Sequence, residues 1–251
     1  MNISGYGIER RSEGSTGDCT GILSRGSTRG KIRSTFWLCP VIIVVLAMRL
    51  FGSPAALAQS LSPASVSPAA GNQATAVMAG GCFWGVDGVF KHVKGVTKVV
   101  SGYAGGSAAN AQYEIVSTGT TGHAESVQIT YMPSVVSYQQ LLQVFFLVAH
   151  DPTELDRQGP DEGTQYRSVI FYTNNDQKRI ADNYIAELNK EKVFSSPIVT
   201  EVVPLDHFYP AEDYHQNFLE LHPDNPYIVA NDLPKLKDLK RQFPALCKPQ
   251  A

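Results

Sequence analysis

The chain has 251 residues, of which 43% are hydrophobic and 18% charged, and its formal net charge at neutral pH is −2. This composition is that of a globular protein with a sizeable core. Residues 59–251 alone hold 14 basic and 20 acidic residues, a formal charge of −6, and this balance argues against a nucleic-acid partner.

The N-terminal segment has the pattern of a secretory signal. Six basic residues precede the apolar run FWLCPVIIVVLA at 36–47, and Ala56-Leu57-Ala58 places small residues where a signal peptidase cleaves. The pattern predicts a signal peptide over residues 1–58, followed by a flexible Ser/Ala/Pro linker over residues 59–73. We therefore expect an exported protein, of the bacterial periplasm. The long basic stretch and Arg49 depart from the usual signal pattern.

The alternative is an uncleaved anchor, through which the N-terminal segment alone would contact the membrane. The apolar run is shorter than the roughly 20 residues that span a bilayer, so cleavage is favoured.

Two of the four cysteines, Cys19 and Cys39, lie in the predicted signal, which leaves Cys82 and Cys247. Two distant cysteines do not predict a disulfide-dense scaffold or a zinc finger. They fit a reactive thiol with a distant partner.

Hydrophobic periodicity predicts alternating strands and helices in the folded part of the chain. In chain order the predicted elements are a strand over 74–79, a helix from about 82 to 93, strands over 96–103 and 124–131, a helix over 137–150, a strand over 168–172, a helix over 176–192 and a strand over 198–203. This order predicts an α/β fold, in detail a two-layer α+β sandwich with a split β-α-β ferredoxin-like core. We expect a mixed sheet, helices packed on it, and a loop-rich C-terminal tail from Phe208 onward.

The stretch AGGCFWG at 79–85 places a cysteine between a predicted strand and a predicted helix. A helix N-terminus stabilises an anion, so we expect a lowered pKa for the Cys82 thiol. Gly80 and Gly81 allow a sharp turn that leaves the sulfur open, and Phe83 and Trp84 can form an apolar wall beside it. The alternative is that Cys82 is a small buried core residue.

Polar, turn-rich segments precede other predicted strands, and binding residues tend to collect in such places. They contribute Tyr113, Glu125, Asp161, Tyr166 and, less specifically, Gln165 and Arg167. Taken singly, the two tyrosines can be ordinary half-buried residues, Asp161 a turn former and Glu125 an exposed charge at a strand edge.

Five separated motifs together resemble the A-type peptide methionine sulfoxide reductase family. They are GCFWG at 81–85, GYAGG at 102–106, TGHAE at 121–125, DPT at 151–153 with GTQYRS at 163–168, and YPAEDYHQ at 209–216. The resemblance runs from about residue 76 to 244 and implies that residues 74–251 form the catalytic domain. It implies reduction of the S epimer of methionine sulfoxide, free or in proteins, as repair of oxidative damage.

The resemblance also implies a role for each residue. Cys82 matches the nucleophile that attacks the sulfoxide sulfur, after which the oxygen leaves as water and Cys82 becomes a sulfenic acid. Glu125 matches the acid that protonates the sulfoxide oxygen, which requires a raised pKa. The hydroxyl donors to that oxygen match Tyr113 and Tyr166.

Three further residues of the family pattern are present. Asp161 matches a residue that orients a nearby water or hydroxyl, and Phe83 and Trp84 match the pocket for the substrate methyl. Two departures from the usual pattern, Ala111-Gln112 before Tyr113 and Pro160 before Asp161, remove no reacting group.

A larger departure from the family pattern concerns the cysteine that would return oxidised Cys82 to the thiol. Many members of the family carry a second cysteine shortly after an Asn-Pro pair, but Asn225-Pro226 here leads into YIVANDL. Either Cys247 resolves the sulfenic acid as a disulfide, or an external thiol reduces Cys82 directly. The resemblance implies a thioredoxin-like reductant, no prosthetic group and no metal, and we expect a monomer.

Rival interpretations are weaker. His123-Ala124-Glu125 resembles the H-x-E of zinc deaminases, but the downstream Pro-Cys-x-x-Cys is missing. An exported single-thiol peroxidase and a non-catalytic binder of oxidised Met-rich proteins remain as alternatives. We expect the other histidines, His207, His215 and His222, to be solvated or structural.

Overall fold

The computed structural model describes residues 72–249. The predicted signal peptide and nearly all of the predicted linker lie outside these residues. The strands are β1 Ala74–Ala79, β2 Val96–Ala104, β3 Ala124–Tyr131, β4 Arg157–Gln158, β5 Asp161–Glu162, β6 Val169–Tyr172, β7 Glu201–Pro204 and β8 Phe208–Pro210. The α-helices are α1 Phe83–Lys91, α2 Tyr113–Val116, α3 Tyr138–Val144, α4 Asn175–Lys190, α5 Phe218–Leu221 and α6 Leu233–Gln242.

Six strands form one mixed sheet in the order β7-β6-β1-β3-β2-β8. The four inner strands are mutually antiparallel, with α1 connecting β1 to β2 and α3 lying between β3 and β6. This is the split β-α-β arrangement that the sequence predicts, so the predicted fold class is confirmed. β7 adds to β6 in parallel after α4, and β8 adds to β2 antiparallel.

The core lies between the sheet and the helices. Its largest fully buried side chains include Tyr103 on β2, Phe83 and Phe90 on α1, and Phe145 and Phe146 after α3. A helix on a sheet buries one apolar stripe, which is why the 3.6-residue period of residues 83–93 is visible in the sequence.

The third helix differs from its prediction at its C-terminal end. Ser137 caps it as expected, in a reciprocal capping box with Gln140. The α-helix ends at Val144 and continues as a π-helical turn, Phe145–Ala149. The His150 ring hydrogen-bonds the Phe145 carbonyl across 2.9 Å, which satisfies a backbone group that the regular helix would have paired.

Two further differences from the prediction concern β7 and the C-terminal part of the chain. The strand predicted over 198–203 is observed at Glu201–Pro204, because the Ile198 N–H donates to the Asn189 side chain and the Val199 N–H donates to the Pro152 carbonyl. The C-terminal part, for which the sequence predicts mixed loop and short helix, contains the strand β8 and the ten-residue helix α6.

No helix within residues 72–249 has the length and apolarity to cross a bilayer.

Candidate active site

The nucleophile turn connects β1 to α1. Gly81 adopts a φ of 85°, and a Cβ there would lie 2.5 Å from the Gln158 side chain, so only glycine fits. Cys82 is the N-cap of α1, which begins one residue later than the start suggested by the sequence. Cys82 is 9% exposed and lines a cavity of about 180 Å³. The thiol is therefore at the wall of a cavity and not sealed in the core.

Glu125 lies on β3, in the same cavity, and contacts the first turn of α1. Its Oε2 accepts a hydrogen bond from the Phe83 backbone N–H across 3.1 Å. Burial raises the pKa of Glu125 to about 8, helped by Asp161 and opposed by the Phe83 hydrogen bond. The carboxyl is therefore mostly protonated at neutral pH, as the resemblance implied.

The expectation of a lowered pKa for the Cys82 thiol is wrong for the substrate-free molecule. Burial raises this pKa well above its usual range, and the neighbouring carboxyls of Glu125, Asp232 and Asp161 raise it further. A backbone hydrogen bond from Trp84 acts in the opposite direction but is outweighed. Desolvation and like charge, which come from residues distant in sequence, thus override the helix N-terminus.

Two tyrosine hydroxyls complete the polar wall of the cavity. Tyr113 is the first residue of α2, and its backbone N–H donates to Glu212 Oε1 across 2.9 Å. Tyr166 ends a short 3-10 turn before β6, and its carbonyl accepts from the Gly81 N–H across 3.2 Å. Burial raises the pKa of both phenols, so both remain hydrogen-bond donors at neutral pH.

A two-stranded hairpin presents the second carboxyl of the cavity, that of Asp161. β4 and β5 are joined at Gly159-Pro160, where Gly159 has a φ of 57°, and Asp161 follows directly. Asp161 Oδ2 accepts a hydrogen bond from the Tyr227 hydroxyl. Burial raises the pKa of Asp161, while that hydrogen bond and Lys235 oppose the rise.

Tyr227 also lines the cavity, and sequence reasoning missed it. Its ring stands edge-on to the Trp84 ring, with centroids 6.0 Å apart. The signal that could have found it is its position directly after Asn225-Pro226, the pair that precedes a second cysteine in many members of the family.

The apolar wall consists of Phe83 and Trp84, as the sequence suggested. Trp84 stacks on Phe218 of α5 with ring centroids 3.7 Å apart, and Phe83 packs on Tyr103. Phe83 and Trp84 also contact His215, which is 2% exposed. His215 is therefore structural, one of the two alternatives expected for it, whereas the side chain of His207 is exposed.

Cys247 lies elsewhere. It forms an antiparallel β-bridge with Val93, and the Lys94 N–H donates to the Leu246 carbonyl across 2.7 Å. α1 ends at Lys91, about 13 Å of helical rise from Cys82, and Val93 lies two residues beyond that end. A disulfide requires Cα atoms within about 7 Å, so a Cys82–Cys247 bond would require the tail to leave this position.

His123, the histidine of the H-x-E pattern that resembles zinc deaminases, makes a structural contact. His123 is 1% exposed, and its Nε2 lies 3.0 Å from the Ser107 carbonyl. Within the part of the chain that the structure describes, no three His, Cys, Asp or Glu side chains are grouped as metal ligands.

The structure thus brings seven of the eight candidate residues to one cavity and leaves Cys247 outside it. The cavity is lined by Cys82, Phe83, Trp84, Tyr113, Glu125, Asp161, Tyr166 and Tyr227. They come from six separate segments of the chain, so only the tertiary fold makes them neighbours. The combination of a thiol, a protonated carboxyl, two phenols and an aromatic wall suits reduction of a small polar oxide with an apolar substituent.

Comparisons with known proteins agree with this chemistry. A family model described as "Peptide methionine sulfoxide reductase" matches residues 74–246. "Peptide methionine sulfoxide reductase MsrA 2" of Mesorhizobium japonicum is 63% identical over 178 residues, which cover 71% of this chain and 91% of that relative.

Solved structures show the same relationship. The crystal structure of Mxr1 from Saccharomyces cerevisiae in reduced form is 32% identical with a TM-score of 0.58, covering 61% of this chain and 87% of that one. Methionine sulfoxide reductase A of Corynebacterium diphtheriae is 34% identical with a TM-score of 0.55, covering 63% of this chain and 79% of that one. With a family match along nearly all of its described residues, the chain belongs to the peptide methionine sulfoxide reductases and is a thiol-dependent oxidoreductase that reduces methionine sulfoxide.

Proposed function

We propose that this chain reduces the S epimer of methionine sulfoxide, free or within proteins, with Cys82 as nucleophile and Glu125 as general acid. The observation that carries this assignment is the 3.1 Å hydrogen bond from the Phe83 N–H to Glu125 Oε2. It holds a carboxyl of raised pKa at the residue that follows the thiol, inside one small cavity.

The reaction balances with groups that line the cavity. Cys82 Sγ bonds to the sulfoxide sulfur, and the sulfur–oxygen bond breaks. The departing oxygen takes two protons, one from the Glu125 carboxyl and one from the Cys82 thiol, and leaves as water. Water then attacks Cys82 Sγ, displaces methionine and gives up one proton to the Glu125 carboxylate, which restores the acid. Cys82 is oxidised by two electrons to a sulfenic acid, and the substrate sulfur is reduced by two.

Epimer selection follows from fixing two substituents of the sulfoxide sulfur. The Phe83 and Trp84 wall accepts the methyl group, while the hydroxyls of Tyr113 and Tyr166 donate to the oxygen. The remaining substituent, which leads to the rest of the substrate, must then point to the cavity mouth. Only one hand of the sulfoxide satisfies all three requirements while presenting its sulfur to Cys82, in keeping with the use of one enzyme per epimer.

The role of Asp161 is to orient a water or hydroxyl beside the reacting oxygen. The hydroxyl of Tyr227 fixes this carboxyl from one side, and the short β4–β5 hairpin fixes its backbone.

Recycling uses a thiol reductant, as in this family, and no prosthetic group. We propose that a thioredoxin-like dithiol attacks the Cys82 sulfenic acid directly, which releases water and forms a mixed disulfide. The second thiol of the reductant then frees Cys82 as a thiol and leaves oxidised reductant. The position of Cys247 at the opposite end of α1 supports this route over an internal disulfide.

The assay that tests the assignment uses both epimers of an N-acetylated, C-amidated methionine sulfoxide with excess thiol. We expect reduction of the S epimer alone, and no reduction by the Cys82→Ser variant. Equal turnover of the two epimers, or activity in Cys82→Ser, would refute the assignment. A single-thiol peroxidase would prefer hydrogen peroxide to dimethyl sulfoxide, and a non-catalytic binder would keep its whole function in Cys82→Ser.

For location we propose export to the periplasm after cleavage within residues 1–58, with residues 59–73 as a linker. The basic segment, the apolar run and Ala56-Leu57-Ala58 support this proposal. N-terminal sequencing of protein from a periplasmic fraction should find a start close to Gln59. A full-length chain in the membrane fraction would favour the anchor instead.

We also propose that the protein acts as a monomer, which sedimentation measurements can check.

A further inference from the structure

His215 occupies the centre of the aromatic cluster behind the cavity. Its ring centroid lies 5.0 Å from that of Phe83, 5.8 Å from that of Trp84 and 4.4 Å from that of Tyr113. His215 itself does not line the cavity, so any effect on the reaction must pass through these neighbours.

A hydrogen bond determines the protonation state of His215. The Trp84 indole Nε1–H donates to His215 Nδ1 across 3.2 Å. An indole nitrogen can only donate, so Nδ1 must be unprotonated and the ring proton must be on Nε2. Nε2 is buried, and no atom of residues 72–249 accepts a hydrogen bond from it. Only the neutral Nε2–H form of the ring is therefore compatible with this contact.

We propose that His215 is a positioning residue that holds the Trp84 indole in the methyl-binding wall only while its ring is neutral. The inference rests on the proposed function of Phe83 and Trp84 as the site for the substrate methyl. Protonation would place an N–H on Nδ1 opposite the indole N–H, so two donors would face each other and the hydrogen bond would be lost. The position of Trp84 beside Phe83 would then depend only on its ring contacts, such as the stacking on Phe218, and the indole would be less firmly fixed.

The surroundings of His215 favour the neutral ring. Burial lowers its pKa, and the nearby Glu212 carboxylate opposes this. Glu212 is held by the Tyr103 hydroxyl across 2.8 Å and by the Tyr113 N–H, so its charge is already compensated. The other titratable groups that face the ring are the phenols of Tyr113 and Tyr214, and both have raised pKa values and remain neutral.

Two substitutions separate the hydrogen bond from simple packing. His215→Asn keeps an acceptor near the position of Nδ1 at every pH, whereas His215→Leu fills space without an acceptor. For His215→Leu we expect the KM for the S sulfoxide to rise about 5-fold, the factor for one hydrogen bond, with a smaller change in kcat. His215→Asn should restore most of the loss. Because burial lowers the pKa of His215, KM in the native chain should rise on acidification below the ordinary titration range of a histidine, and in His215→Asn it should not.

An NMR measurement tests the contact without using turnover. The full chain has two tryptophans, Trp37 and Trp84, so two indole N–H signals are expected. The Trp84 signal should shift in His215→Leu, and on acidification of the native chain, but much less in His215→Asn. This readout distinguishes failure of the inference from failure of the catalytic assignment, which Cys82→Ser tests.

The inference is overturned if His215→Asn and His215→Leu change KM equally, or if the Trp84 signal is the same in both. Should His215→Leu fail to fold, the pH dependence of KM in His215→Asn tests the inference instead. A KM that rises in acid as steeply as in the native chain would show that His215 protonation is not the cause.

Discussion

Glu125 Oε2 accepts a hydrogen bond from the backbone N–H of Phe83 across 3.1 Å, at the first turn of the helix that Cys82 caps. The bond joins the central strand of the sheet to the nucleophile turn. It fixes the acid relative to the thiol without pairing it with a cation, so burial can keep the carboxyl protonated.

Replacing Glu125 by glutamine should reduce kcat/KM for sulfoxide reduction by about 10²-fold or more, because a general acid is lost while shape and the Phe83 contact are kept. Steady-state kinetics with a thiol reductant measure the effect. Glu187→Gln, an exposed change on α4, is the matched control and should have native rates. Native rates in Glu125→Gln would mean that another group donates the proton.

The raised pKa of the Cys82 thiol predicts slow alkylation of the substrate-free enzyme. At neutral pH iodoacetamide should modify Cys82 more slowly than it modifies glutathione, and the rate should increase with pH because the thiolate is the reactive form. Peptide mass mapping identifies the modified residue.

The same experiment tests the influence of the Glu125 charge. At about pH 9 Glu125 is ionised and raises the thiol pKa, so Glu125→Gln should lower that pKa and accelerate alkylation of Cys82. Faster alkylation of native Cys82 than of glutathione at neutral pH would show that the helix N-terminus outweighs burial.

The two phenols should contribute to kcat rather than to binding. Tyr113→Phe and Tyr166→Phe each remove one donor to the sulfoxide oxygen and should reduce kcat about 10-fold or more, with smaller changes in KM. Stopped-flow measurement of the first turnover isolates this step from recycling. If KM changes and kcat does not, the hydroxyls bind the ground state only.

Turnover should not depend on Cys247. Cys247→Ser should keep native kcat with a thioredoxin-like dithiol, because the route proposed for Cys82 needs no internal thiol. Non-reducing mass spectrometry after one turnover without reductant should find oxidised Cys82 and no Cys82–Cys247 crosslink. Detection of that crosslink would show that the C-terminal segment leaves Val93 during catalysis.

A glycine of α1 fixes the distance between this helix and the segment before α6. A Cβ at Gly85 would lie 2.1 Å from Asp232 Oδ1, in a buried ion pair with Lys235. Gly85→Ala should therefore lower the free energy of unfolding by about 2 kcal/mol, roughly 6 °C in Tm.

Gly88→Ala on the same helix is the matched control. Its Cβ would lie 2.6 Å from Leu219 Cδ1, the end of a flexible side chain that can move, so the change in Tm should be small. Thermal unfolding followed by circular dichroism measures both. A change in Tm for Gly85→Ala as small as that for Gly88→Ala would show that the contact between α1 and Asp232 tolerates an added methyl group.

The sequence by itself determined the order of the core strands and helices, the strand-turn-helix around Cys82 and seven residues of the cavity. Local periodicity, glycine pairs and caps are short-range properties, so β3 and the start of α1 could be predicted closely. The five motifs that resemble a known family added the chemical roles. The short strand β8 was missed because three residues are too few for a periodic signal. Helix α6 was not located, although Leu233, Leu236 and Leu239 recur at helical spacing and Pro234 suits a first helical turn.

Only the tertiary structure decided the direction of the Cys82 pKa shift, the inclusion of Tyr227 in the site, the burial of His215 and the distance of Cys247. Each depends on residues far apart in the chain. Glu125 meets Phe83 from 42 positions away, and His215 meets Trp84 from 131. Desolvation and the charges of such neighbours come from packing, and a local pattern does not contain them.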